Sequence, residues 1–239
     1  MSDGNFYDVH TKCIVGLTEE METALQSYGY VSHRGHLDFS DQKGKIYRLS
    51  FLGYCGNEIQ CARFSSYNEE VIVIEGNGEL VGDKLSGVFK YSGGNTVVYI
   101  GNHITAIKIG HKIKDVYDNI FSGYYSKIVV GNGVKELDAY VFSGAHIGEL
   151  LLGESLEIIG EGAFFETSIE ELYIPDSVKM IGEGIIEGDP CRCQSISLPS
   201  TINRLEEWAL TCRSGDPKIF LRGEKPPKDL CMWLLAGLD

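Results

Sequence analysis

The sequence is poor in the features that most catalytic, nucleic-acid-binding and membrane proteins display. Basic residues number 21 against 34 acidic ones, which leaves a formal net charge of -13. Binding of nucleic acid through a basic surface is therefore disfavoured, because it depends on Lys and Arg displacing counterions. An anionic membrane surface is disfavoured for the same reason. No apolar run approaches the roughly 18 residues needed to span a bilayer. The opening stretch from Met1 to Phe6 carries neither the basic nor the apolar segment of a secretion signal, so a cytoplasmic location is the expectation. Cysteines are few and odd in number: Cys13, Cys55, Cys61, Cys191, Cys193, Cys212 and Cys231. They read as reduced thiols rather than a disulfide framework, with Cys55 and Cys61 as buried thiols on or beside strands. Nucleophile elbow, phosphate-binding loop and dinucleotide fingerprint are all missing. The expectation is a protein without catalytic residues, metal or cofactor.

Glycine, by contrast, is plentiful: 29 residues against only 6 prolines, which implies many tight turns between short strands. Self-comparison shows where the turns fall. Five segments align without gaps: Ile107–Phe121 (IKIGHKIKDVYDNIF), Ile128–Phe142 (IVVGNGVKELDAYVF), Leu150–Phe164 (LLLGESLEIIGEGAF), Leu172–Ile186 (LYIPDSVKMIGEGII) and Ile196–Leu210 (ISLPSTINRLEEWAL). A truncated sixth begins at Ile219. Columns one, three, seven, ten and fifteen are apolar in every copy, and column four is Gly or Pro. The first three residues alternate inward, outward, inward, as a short strand must. Gly or Pro then turns the chain, and the remaining apolar columns point back into a shared core. One such unit cannot bury its apolar face alone, but stacked units can.

The units LYIPDSVKMIGEGI and LLLGESLEIIGEGAF resemble the BspA-type (Treponema-type) leucine-rich repeats, and KIFLRGEKPP is similar to the segment that often closes such arrays. The resemblance covers about residues 104–227. It implies an α/β leucine-rich-repeat solenoid with a parallel sheet, a binding role and no cofactor; many members of that family are surface-exposed. Here Gly replaces the usual Pro in three repeats, and the terminal Phe is absent from two. Two regions are expected: a small α+β or mostly β capping region over 1–103, and the solenoid with its C-terminal cap over 104–239. Within the first region Thr18–Tyr28 reads as a helix with a Thr N-cap and an acidic first turn. Lys45–Leu52, Ile59–Phe64, Val71–Glu75, Gly87–Tyr91 and Thr96–Ile100 read as strands. The stretch from Val71 to Phe89 reads as a degenerate earlier coil, though it matches the repeat only poorly.

Stacked coils place equivalent side chains in ladders. The middle strand residues, outward-facing, are Lys108, Val129, Leu151, Tyr173, Ser197 and Phe220, preceded by Ala106, Lys127, Glu149, Glu171, Ser195 and Lys218. Val129, Leu151 and Tyr173 would form an apolar strip flanked by Glu149 and Glu171, the composition of an interface. Cover by the N-terminal region or by a second copy of the chain is the competing reading. A second ladder is acidic: Glu154 over Asp176 and Glu161 over Glu183, with Glu157 nearby. Like charges about 5 Å apart repel by roughly 0.8 kcal/mol each in water, so the fold tolerates the pattern without requiring it. Such a face either promotes solubility or docks a basic protein. In the latter case the protein would act as an acidic inhibitor of a nucleic-acid-binding enzyme, in the manner of a phage or defence protein. An enzyme or metal site in residues 1–103 would rest on His33, His36 and Asp38. Cys191 and Cys193 are too tightly spaced for a usual zinc site. Trp208 and the run Met232-Trp233 are expected to cap the last coil.

Overall fold

The computed structural model describes residues 21, 23–24, 36–54, 59–85, 89, 95–110, 120–188, 192–212, 215, 217 and 218–223. The rest of the anticipated helix, His33, Cys55, Cys191, Met232 and Trp233 lie outside the described residues.

Three antiparallel strands come first: β1 (His36–Ser40), β2 (Ile46–Tyr54) and β3 (Ile59–Ser65). Alternation of Tyr47 and Leu49 with polar Arg48 fits a sheet with one wet face. From β4 (Glu70–Gly76) onward the chain coils. Each coil gives one strand to a ten-stranded sheet and one short strand to a six-stranded sheet behind it. The first sheet continues through β6 (Thr96–Ile100), β8 (Tyr124–Val130), β10 (His146–Leu151), β12 (Ser168–Tyr173), β14 (Cys193–Pro199) and β16 (Lys218–Arg222), all parallel. The second is built of β5 (Gly78–Val81), β7 (Ile104–Lys108), β9 (Glu136–Leu137), β11 (Ile158–Ile159), β13 (Met180–Ile181) and β15 (Arg204–Leu205). The architecture is a parallel-sheet solenoid.

The register corrects the first repeat. Ile128 pairs with Val98, whereas Ile107 pairs with Leu137 of the second sheet. Column one of that coil is therefore Val98, the coil spans 30 residues from Val98 to Ile128, and the outward ladder there is Tyr99 rather than Lys108. Ile107, Ile109 and Gly110 mimic the inward–outward–inward–Gly signature and had captured the ungapped alignment. The poorly matching stretch after Val71 is a true coil: Val73 pairs with Tyr99 and Leu80 with Ile107. Parallel stacking thus starts near residue 70, ahead of the expected boundary at 104. Of the anticipated strands, Gly87–Tyr91 differs: Phe89 is a buried bend residue, and most of that segment lies outside the described residues.

Between the sheets lies one continuous core. Its spine is a file of rings from column fifteen: Phe89, Phe121, Phe142 and Phe164, with centroids 4.8, 5.0 and 5.5 Å apart. Ile186 and Leu210 extend the file. Column four packs backbone on backbone. A Cβ at Gly131 would sit 2.5 Å from the Ile100 carbonyl oxygen, so the turn tolerates only glycine there. At column thirteen Tyr140, Gly162, Gly184 and Trp208 share φ values of 56, 54, 54 and 56°. A left-handed position made for glycine is thus held twice by a bulky aromatic.

A second, smaller core lies on the other side of the ten-stranded sheet. Met21 and Ala24, both helical, pack there with Tyr47, Leu49, Ala62, Phe64, Val71, Val73, Tyr99 and Val129. Among the described residues no helix is long and apolar enough to cross a membrane.

Candidate functional site

The outer face of the ten-stranded sheet is one ladder with two fates. Register runs Val73–Tyr99–Val129–Leu151 and then Tyr173–Ser197–Phe220. Relative exposure along it is 1% at Val73, 0% at Tyr99 and 2% at Val129, against 44% at Tyr173 and 55% at Phe220. The expectation of an open strip beginning at Val129 is thus corrected. Met21, Ala24 and the strands of the N-terminal region belong to the same apolar cluster as Val129 and keep it from water. Leu151 is the seam, partly buried against that cluster and also lining the open groove beyond it.

That groove, of about 700 Å³, is walled by Gly148, Glu149, Leu151, Glu170, Glu171, Tyr173, Ser195, Lys218 and Phe220, among others. Residues Leu151, Tyr173, Phe220, Glu149 and Glu171, singled out from the repeat, therefore do converge. Glu149 is held by Lys127 at 2.7 Å. Glu170 and Glu171 are exposed, and no described side chain ion-pairs with either. At the groove the registered pairing of β10 with β12 is confined to His146↔Ser168 and Ile147↔Ile169, while β8 and β10 stay paired as far as Leu151↔Val129. Glu149 and Glu171 face each other past the last pair, and like charges directly opposed weaken a sheet.

Sequence reasoning missed Arg222. Its guanidinium lies 3.9 Å from the centre of the Tyr173 ring. It donates to the Ser197 Oγ at 2.8 Å and to the Ser197 carbonyl at 3.0 Å. It also donates to the Ile174 carbonyl and ion-pairs with Asp176 at 2.8 Å. The acceptors of Arg222, Ile174 and Asp176, follow Tyr173 along the coil, whereas the groove walls Glu170 and Glu171 precede it, so Arg222 and the groove meet the ring from opposite ends of β12. The available signal was its place in KIFLRG, two residues beyond Phe220 and pointing to the same face.

The acidic ladder is less free than its sequence suggested. Asp176 is taken by Arg222, Glu157 meets Lys179 at 3.3 Å, and Glu161 accepts from the Tyr140 hydroxyl at 2.7 Å. Burial first, then that carboxylate, pushes the Tyr140 hydroxyl up to about 12. The Glu154 amide donates to the Asn132 Oδ1 at 2.9 Å. Glu183 lines a second cleft of about 390 Å³ with Glu187, Trp208, Thr211 and Cys212. Trp208 is half-exposed rather than packed as a cap.

Asp38 is engaged by Arg48 through two bonds of 2.8 and 3.0 Å, which leaves it poorly placed to ligate a metal with His36. Among the described residues no cluster of three or more His, Cys, Asp or Glu is arranged to hold one. Cys61 and Cys212 are disulfide-bonded, which overturns the reading of reduced thiols. Cys193, buried in β14, is not disulfide-bonded. Burial raises the Cys193 thiol to about 11, so it is inert at neutral pH.

The chain matches the model of the BspA type Leucine rich repeat region, in 6 copies over residues 95–214. No curated protein matches it. Among solved structures it is similar to a leucine-rich repeat protein from Eubacterium ventriosum ATCC 27560, with TM-score 0.53 and 16% identity. The match covers 71% of this chain and 43% of that one, so the chain spans less than half the length of its structural relative.

Proposed function

Because the chain belongs to the BspA-type leucine-rich repeat family, whose repeats commonly serve protein binding, we propose that it is a non-catalytic interaction module acting through the distal half of its outer sheet face. The observation that carries this is the change along one ladder, from buried Tyr99 and Val129 to exposed Tyr173 and Phe220. Large aromatics left open beside a groove on an otherwise capped face have the composition of a contact surface. Tyr173, Phe220 and Leu151 would supply the apolar contact, with Glu149 and Glu171 at its margin. The partner is a protein, basic on its contact surface, as the net charge of -13 favours.

Tyr173→Asp combined with Phe220→Asp should abolish capture of the native partner while circular dichroism stays unchanged. Capture that survives both substitutions removes this face from consideration. Nucleic-acid mimicry gains no specific support, because Glu157, Glu161 and Asp176 already have partners within the chain. The disulfide-bonded state of Cys61 and Cys212 favours an oxidising compartment over the cytoplasm expected from the sequence. Alkylation of the denatured, unreduced protein should then leave Cys61 and Cys212 unlabelled; label on both would return it to a reducing compartment.

A further inference from the structure

The same recognition chemistry occurs twice at Tyr173, once satisfied and once open. On one side of the ring the molecule's own Arg222 is gathered by an aromatic face, the Asp176 carboxylate, the Ser197 hydroxyl and the Ile174 carbonyl. On the groove side Tyr173 stands among Glu149, Glu170 and Glu171. Lys127 compensates Glu149, but Glu170 and Glu171 lack an ion-pair partner among the described residues. Lys218, in the same wall, is the only cation among the described residues that line the groove. Apolar footing is supplied by Leu151 and Phe220.

We propose that the groove takes a guanidinium side chain from a partner protein, flanked in the partner by an apolar residue that rests on Phe220 and Leu151. This deepens the interaction-surface reading above and depends on it. An arginine fits better than a lysine for a stated reason. A planar, weakly hydrated guanidinium stacks on an aromatic face and forks to carboxylates, whereas an ammonium is a compact and strongly hydrated point charge. The internal precedent has that geometry, with the Arg222 guanidinium carbon 3.9 Å from the Tyr173 ring centre. Arg222 packs on the Tyr173 ring and so restrains its rotation, while Tyr173 also lines the groove.

The test titrates the full-length protein with three capped tripeptides, Phe-Arg-Phe, Phe-Lys-Phe and Phe-citrulline-Phe, followed by amide shifts in nuclear magnetic resonance. Citrulline keeps the shape of arginine and removes its charge. The arginine peptide should shift Glu149, Glu170, Glu171 and Tyr173 and bind at least tenfold more tightly than the citrulline peptide. Glu170→Gln with Glu171→Gln, two exposed and isosteric changes, should bring that ratio close to one. Equal binding of the arginine and citrulline peptides at the groove, lost on Tyr173→Asp, overturns the guanidinium inference and leaves the contact surface standing. Lysine binding as tightly as arginine overturns it as well. If no peptide shifts any groove residue, the inference and the surface reading fall together.

Discussion

Tyr99 and Tyr173 occupy the same column of the same sheet, three coils apart, yet one is sealed and the other half open to solvent. The proximal half of the face is the floor of a second core, roofed by Met21, Ala24, Phe39, Tyr47 and Phe64. The distal half has no such roof among the described residues. The solenoid repeat sets which way a side chain points, and segments far away in sequence decide whether it meets water. Exposure of an apolar residue in the capped half would be a packing cost; in the uncapped half it is available for contact.

Truncating the two tyrosines should divide them most sharply. Tyr99→Ala empties a fully buried site and is expected to lower stability by about 3–5 kcal/mol, as large aromatics in cores do. Tyr173→Ala should cost about 1 kcal/mol or less. Urea unfolding of both variants checks the pair, and equal losses would erase the distinction between the halves. Next in size is Glu75, buried at the capped end, its Oε1 without a hydrogen-bond partner. Burial raises its carboxyl to about 7. A folded-state value above the unfolded one contributes stability that is fully present near pH 4 and is lost as pH rises through about 7. Between those limits the wild type should lose up to about 3 kcal/mol from this group. Glu75→Gln should flatten that slope in a pH series of urea midpoints. The smallest effect is expected at the seam. Glu171→Lys places opposite charges across β10 and β12 and should stabilise by about 0.5 kcal/mol. Amide exchange at Leu151 and Tyr173 should slow with it; a destabilised variant would mean that charge has no part in the lapse of pairing there.

Much of the solenoid was legible because burial imposes a strict period on a parallel stack. Columns one, three, seven, ten and fifteen follow from Ile128, Val130, Val134, Leu137 and Phe142 onward, and all five of those residues are buried. Legibility failed at the coil from Val98 to Ile128, where Ile107 carries a local pattern resembling a strand start. The roof over Val129 was invisible for a different reason. Met21 and Val129 are brought together by tertiary packing, which leaves no periodic trace. Disulfide pairing is likewise a matter of proximity, and an odd count of scattered cysteines says nothing about it. Tyr173 was found because its ladder could be drawn from the repeat. Arg222 was not, because its role depends on acceptors contributed by two other coils, Ser197 of β14 and Ile174 and Asp176 just past β12.

The file of phenylalanine rings has a consequence for how such a chain can change its length. Each ring rests on an equivalent ring above and below, so losing one side chain leaves two neighbours facing a void. Excising a whole coil would instead bring like surfaces together. The 30 residues between Val98 and Ile128 and the 22 between Ile128 and Leu150 show that extra length is absorbed in turns while strand spacing is kept. Growth and shrinkage by entire windings are therefore compatible with the interior, whereas a slip of one position inside a strand would turn its buried side chains toward solvent.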